Sequence, residues 1–191
     1  ASTDLNESSA VYCPDDAQFF FAHPIGSGSE EFKICRRNML SAGIEAEVDI
    51  DFAAAGREYV GIAPLPAGNL GLRVFRSAGT GNPCEYRDYD SGLTPLTAWI
   101  AMDFGPDNEL PGGRNCIVRN STGYAVFGVD DVGDPAVFLV DHSGDFISEV
   151  AVLVDHRSPI YPASSGSLIL GGPAATAEIA LYRMLNDGTI A

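Results

Sequence analysis

The stretch AVFLVDHSGDFISEVAVLVDH, residues 136–156, decides the predicted fold class. Two runs rich in Val, Phe and Ile flank the polar residues 141–145, which include Ser143 and Gly144. Apolar runs on either side of a short polar segment predict a β-hairpin. Because residues 136–140 are apolar without alternation, both faces of the first strand must be covered, either by a second sheet or by a neighbouring subunit.

The motif Leu-Val-Asp-His occurs twice in this stretch and contains His142 and His156. With residues 142–145 as the loop, Asp141 pairs with Phe146, so that His142 lies at the tip of the hairpin and His156 at its far end. At about 3.3 Å per residue, the two imidazoles are roughly 30 Å apart. They therefore cannot share a metal ion or form an acid–base pair within one subunit.

The remainder of the chain repeats this alternation of short β-rich runs and turn clusters. Residues 44–51 alternate acidic and apolar side chains, as expected for a strand with one wet face. Residues 29–40 have helix-like spacing and allow a short helix, whereas we favour a strand for residues 173–187. About ten or eleven strands without a linker predict an all-β fold: a single disulfide-stabilised β-sandwich or jelly-roll-like domain with at most one or two short helices.

Four cysteines at wide spacing predict disulfide bonds and an oxidising compartment. They are Cys13, Cys35, Cys84 and Cys116, and they lack the spacing of a structural zinc site. Sequential pairing, Cys13 with Cys35 and Cys84 with Cys116, closes the shortest loops, although the other two pairings stay open.

The net charge of -15 excludes nucleic acid and anionic membranes as partners, because both require clustered Lys and Arg. Lys33 is the single lysine of the chain, and no apolar run approaches the roughly 20 residues of a membrane span. The sequence begins at Ala1 without a signal segment, as a mature secreted chain does. We therefore predict a secreted protein, extracellular or at a cell surface.

The acidic loop VDDVGDP is the candidate cation site. Carboxylates that crowd one end of a hairpin repel each other unless a cation intervenes, and calcium takes six to eight oxygen ligands. The predicted calcium ligands are Asp130, Asp131, Asp134 and Asp155, the last returning from the far end of the hairpin. Asp88–Gly92, half of a calcium-loop pattern, is a second candidate. The alternative for both loops is that Asp side chains cap their own turns.

No catalytic signature is present in the sequence: GxSxG, HExxH, the P-loop and GxGxxG are all missing. Trp99, the only tryptophan, has apolar neighbours and is expected to pack in the core rather than to stack on a sugar. We therefore predict that the protein is not an enzyme and has no cofactor other than calcium.

Residues 1–12 are interpreted as an N-terminal extension that docks on a neighbouring subunit, and residues 13–191 as a single β-sandwich domain. The apolar contacts of the extension would be Leu5, Val11 and Tyr12. Together these features predict a secreted structural or adhesive subunit that polymerises with itself into a fibre or surface layer. The alternatives are a calcium-assisted glycan-binding module and a secreted hydrolase.

Overall fold

The computed structural model describes residues 9–15, 17–24, 31–38, 43–51, 59–77, 84–102, 117–129, 134–151, 160–163, 166–171, 180–185 and 189. These residues form β-strands and turns and contain no helix, which confirms the all-β prediction. Accordingly, this part of the chain holds no helix long and apolar enough to cross a membrane.

The strands form four antiparallel sheets, each built from consecutive strands. Sheet 1 contains β1 (Ser9–Cys13), β2 (Gln18–Pro24), β3 (Glu31–Arg37) and β4 (Ile44–Asp51). Sheet 2 contains β5 (Tyr59–Pro64), β6 (Leu72–Ser77), β7 (Cys84–Tyr89) and β8 (Ile100–Met102). Sheet 3 contains β9 (Ile117–Arg119), β10 (Gly123–Val129), β11 (Pro135–Asp141) and β12 (Phe146–Ala151). Sheet 4 contains β13 (Ile160–Ala163), β14 (Gly166–Gly171) and β15 (Ala180–Met184).

The hairpin predicted from residues 136–156 is present as β11 and β12. Ala136 pairs with Ala151 and Leu139 with Ser148, which is the register expected from the sequence. A bulge after Leu139 then shifts the pairing by one residue, so that Phe146 pairs with Val140 and not with Asp141 as predicted. Residues 136–140 are all buried, so both faces of β11 are covered as predicted.

Sheets 1, 2 and 3 pack face to face, with sheet 2 in the middle. Between sheets 1 and 2 lies an apolar core that includes Phe20, Phe32, Ile34, Ile62, Leu72, Val74 and Tyr89. Between sheets 2 and 3 lies a second core that includes Ala63, Phe75, Tyr86, Tyr124, Val126, Phe138 and Val140. Neighbouring side chains on β6 point into different cores, so sheet 2 is buried on both faces.

The first strands of the sheets also follow one another in space. β1 contacts β5, β5 contacts β9, and β9 contacts β13. Sheets 1, 2 and 3 thus pack as the sheets of a β-sandwich do, but four sheets occur in sequence, and no described strand crosses between sheets as in a jelly roll. Consecutive meanders with their first strands side by side resemble the blades of a β-propeller.

The helix considered for residues 29–40 is not formed, because residues 31–37 are β3. Phe32 and Ile34 are fully buried against sheet 2, and the intervening Lys33 points to the opposite face. The buried side chains of this segment therefore recur every two residues, as in a strand. The helix-like spacing of Phe32 and Cys35 was misleading. The strand favoured within residues 173–187 is confirmed over β15.

The disulfide prediction is wrong for the described cysteines, since Cys13, Cys35 and Cys84 are buried thiols. Cys13 shares a face of sheet 1 with Phe20, whereas Cys35 pairs with Phe21 and lies on the other face. A sheet therefore separates the two sulfur atoms that we expected to bond. Cys116 lies outside the described residues.

The boundary predicted after residue 12 falls inside β1. Val11 pairs with Phe20 of the same chain and packs against the sheet 1–sheet 2 core, and Tyr12 pairs with Phe19. These two residues of the predicted extension thus belong to the first sheet. Leu5 lies outside the described residues.

Candidate functional site

The polar contacts that join different sheets lie at one end of the strands, which we call the turn end. Near the first strands, Arg119 at the end of β9 donates a hydrogen bond to Asp15 Oδ2 over 2.7 Å and another to the carbonyl oxygen of Leu65. Asp15 follows β1 and Leu65 follows β5, so one guanidinium joins three sheets. The hydrogen bond from Arg119 lowers the pKa of Asp15.

Arg73, near the start of β6, is the most deeply buried charge at this end. Its side chain is 4% exposed, and its Nε and Nη2 donate to the two carboxylate oxygens of Asp88 over 2.7 and 3.0 Å. Its Nη1 donates over 2.8 Å to the carbonyl oxygen of His142, in the turn between β11 and β12. Arg73 therefore bridges sheets 2 and 3 through a bidentate ion pair and a backbone contact.

Two tyrosines enclose the Arg73 guanidinium. Its Cζ lies 4.0 Å from the ring centroid of Tyr86 and 4.8 Å from that of Tyr124, which are cation–π distances. Tyr86 donates a hydrogen bond to the carbonyl oxygen of Ser143 over 2.7 Å, and Tyr124 donates to that of Pro64 over 3.0 Å. We call Arg73, Asp88, Tyr86 and Tyr124 the Arg73 cluster.

The protonation states of the cluster follow from its burial. Burial opposes the charge of Arg73, but the hydrogen bonds with Asp88 hold the pKa of Arg73 above its usual value. Burial also raises the pKa of Tyr86 and, more strongly, that of Tyr124. A protonated phenol donates hydrogen bonds, and both of these phenols donate to backbone carbonyls. The groups are thus suited to join sheets rather than to exchange protons.

Two turns at this end have the same hydrogen-bond pattern. Asp141 Oδ1 accepts the backbone N–H groups two and four residues later, over 2.7 and 3.0 Å. Asp90 Oδ1 accepts the corresponding N–H groups of Gly92 and Thr94, over 2.9 and 2.8 Å. Each turn follows the third strand of its sheet, and each has a positive φ at its fourth residue, Leu93 or Gly144.

The second candidate calcium site, residues 88–92, includes one of these turns, and its carboxylates have partners within the chain. Asp88 is occupied by Arg73, and Asp90 caps its own turn. Asp90 therefore has the turn-capping contacts considered as the alternative for this loop, whereas the ion pair of Asp88 was not predicted. Arg73 was not predicted as a functional residue, although an arginine inside the apolar run of β6 was a signal for a buried ion pair.

One of the other predicted calcium ligands, Asp134, lies away from the turn end. Asp134 is exposed just before β11, at the opposite end of that strand from Asp141. Asp130, Asp131 and Asp155 lie outside the described residues, which contain no group of three His, Cys, Asp or Glu side chains suited to a metal ion.

Two further candidate side chains, His142 and Trp99, pack against aromatic or apolar neighbours. The His142 ring meets Tyr124 edge-on at 5.9 Å, and its buried Nδ1 makes no hydrogen bond with the described residues. His142 therefore lacks, within them, the orienting partner of a catalytic histidine. Trp99 packs against the sheet 1–sheet 2 core, and Arg76 lies over its ring with Cζ at 3.8 Å from the centroid. His156 lies outside the described residues.

Comparison of the sequence with protein-family models and with curated proteins finds no match. The fold is similar to the crystal structure of a functionally unknown protein from Desulfotomaculum acetoxidans DSM 771, with a TM-score of 0.54 and 13% sequence identity. The similarity covers 96% of this chain and 54% of that one, so the present chain spans about half of its neighbour's length. At this identity the likeness concerns the fold alone.

We expect Gly144→Ala to destabilise the protein more than Gly68→Ala. Both glycines have a positive φ, which costs an alanine about 1–2 kcal/mol. A Cβ at Gly68 meets nothing within 4 Å, whereas one at Gly144 comes to 2.5 Å from Cε1 of Tyr86, a ring held by Arg73 and Ser143. The additional clash should cost about 1–3 kcal/mol. Urea unfolding measures the difference, and equal losses for the two variants would contradict the described packing of Tyr86.

Proposed function

We propose that this chain is a structural or adhesive subunit that assembles with copies of itself into an extracellular fibre or surface layer. The observation that carries the proposal is the serial stacking of the sheets. Sheets 2 and 3 each bury apolar side chains on both faces, so an inner sheet is stable only between two others. A series of this kind can be extended by adding a further sheet with the same packing.

The turn end supports a structural role. The charge of Arg73 is neutralised by Asp88, and its hydrogen bonds are directed at a neighbouring sheet instead of at an open cleft. Arg119 is likewise occupied by Asp15 and by a backbone carbonyl. Polar groups that are hydrogen-bonded to a neighbouring sheet hold the sheets together. A binding or catalytic site, in contrast, needs polar groups that a ligand can reach.

The proposed extracellular location rests on the acidic composition of the chain. A net charge of -15 keeps an abundant protein soluble and away from nucleic acid. The cysteines give no support to an oxidising compartment, because Cys13, Cys35 and Cys84 are buried thiols.

We expect the purified chain to form oligomers or regular polymers. Light scattering at several protein concentrations measures the mass, and negative-stain microscopy gives the shape. A mass that rises with concentration, together with uniform rings or filaments, is the predicted result. A single chain at every concentration would contradict self-assembly.

The second candidate function is calcium-assisted glycan binding at the end opposite the turn end. The pairing of Ala136 with Ala151 favours it, because that register sets the end of β12 beside the start of β11. The four predicted ligands, Asp130, Asp131, Asp134 and Asp155, are close in sequence to these two strand ends.

If this acidic loop binds calcium, chelation should lower the melting temperature, because an ion bound to the folded state stabilises it. The double variant Asp131→Asn/Asp134→Asn should abolish the effect, and Asp90→Asn, which alters an unrelated turn, should keep it. Differential scanning fluorimetry with calcium and with a chelator makes the comparison. Identical melting curves for the unmodified protein in both conditions would exclude the site.

A further inference from the structure

The turn between β9 and β10 contains the sequence Asn120-Ser121-Thr122, which is the acceptor pattern for N-linked glycans. A pattern of three residues occurs often by chance, so its place in the fold decides whether it can be used. Asn120 follows directly after β9, and Gly123 is the first residue of β10. The whole pattern therefore lies in a turn between two strands, at the turn end. We call residues 120–123 the Asn120 turn.

The hydrogen bonds of this turn fix the orientation of the Asn120 amide. Its Oδ1 accepts the backbone N–H groups of Thr122 and Gly123 over 2.9 and 2.7 Å, and the hydroxyl of Thr122 over 3.0 Å. Because backbone N–H groups can only donate, the atom that faces them must be the amide oxygen. The amide nitrogen, Nδ2, takes no part in these three hydrogen bonds.

The Asn120 turn is packed on one side and open on the other. A Cβ at Gly123 would overlap the carbonyl oxygen of Val140, so this side of the turn lies directly against β11. Ser121 and Thr122 are exposed, and Asn120 is partly exposed. Nδ2 of Asn120 makes no hydrogen bond with the described residues and keeps contact with solvent. The nitrogen that would carry a glycan is therefore accessible in the folded chain.

Turn capping alone explains only part of this arrangement. In the turns that begin at Asp90 and Asp141, a carboxylate oxygen accepts the N–H group two residues later, as Oδ1 of Asn120 does. Aspartate and asparagine both stabilise turns in this way. What distinguishes the asparagine at position 120 is Nδ2, which the cap does not use. A hydroxyl two residues later, on Thr122, completes the acceptor pattern.

We infer that Asn120 carries an N-linked glycan. This inference rests on the proposed function, because such glycans mark the surface of secreted proteins. The donor is an oligosaccharide linked to a lipid phosphate: a bond forms between Nδ2 and the anomeric carbon, and the bond from that carbon to the phosphate oxygen breaks. The lipid phosphate leaves with the electron pair, and Nδ2 gives one proton to a base of the transferase. Oδ1 is unchanged, so the modified turn keeps its three hydrogen bonds.

The test is mass spectrometry of tryptic peptides from the protein produced in its native host. Trypsin cuts at several Lys and Arg residues between Asn120 and the other such pattern, Asn6-Glu7-Ser8, so the two fall in different peptides. Three variants are compared with the unmodified chain. Asn120→Asp keeps the capping oxygen but lacks Nδ2, Thr122→Ala breaks the pattern, and Thr122→Ser preserves it. Circular dichroism checks that each variant keeps the fold.

The predicted result is a peptide with attached sugar at Asn120 in the unmodified chain and in Thr122→Ser, and the bare peptide in Asn120→Asp and Thr122→Ala. A chain recovered outside the cell with a bare Asn120 peptide would overturn the glycan and leave the proposed function standing. Sugar that persists on this peptide in Asn120→Asp would place it on another residue and overturn the assignment. A chain found only inside the cell, without sugar, would overturn both the glycan and the extracellular role.

Discussion

The bidentate ion pair between Arg73 and Asp88 is the constraint on which the packing of sheets 2 and 3 depends. A guanidinium this deeply buried would be costly alone, because removing a charge from water without a partner costs several kcal/mol. Asp88 supplies the counter-charge. The carbonyl oxygen of His142, in the neighbouring sheet 3, accepts a hydrogen bond from Nη1 of Arg73. The position of the turn between β11 and β12 is thus set by sheet 2.

Apolar and polar groups occupy different parts of the two sheet interfaces, which lie between sheets 1 and 2 and between sheets 2 and 3. Apolar side chains fill the middle of each interface, while Arg119 and Arg73 fasten the sheets together at the turn end. On the face of sheet 1 that points away from sheet 2, the aromatic side chain of Tyr12 is half exposed.

Local patterns predicted the parts of the fold that depend on neighbouring strands. The hairpin of β11 and β12 and the single wet face of β4, where Glu47 and Asp49 are exposed, both followed from the alternation of side chains. The order of the sheets and the Arg73 cluster could not be predicted, because they depend on contacts between residues far apart in sequence, such as Arg73 with His142. The disulfide prediction failed for the same reason: cysteine spacing does not reveal which face of a sheet each thiol occupies.

The Arg73 cluster is a structural lock that holds sheets 2 and 3 together. The most direct measurement is the free energy of unfolding, obtained by urea denaturation, for Arg73→Lys and for Arg76→Lys as the control. Lysine cannot reproduce the bidentate contact, and a disrupted buried pair costs about 3–5 kcal/mol, whereas the more exposed pair of Arg76 with Glu85 should cost about 1 kcal/mol or less. A large loss for Arg73→Lys alone is the predicted result. Equal and small losses for both variants would contradict the lock.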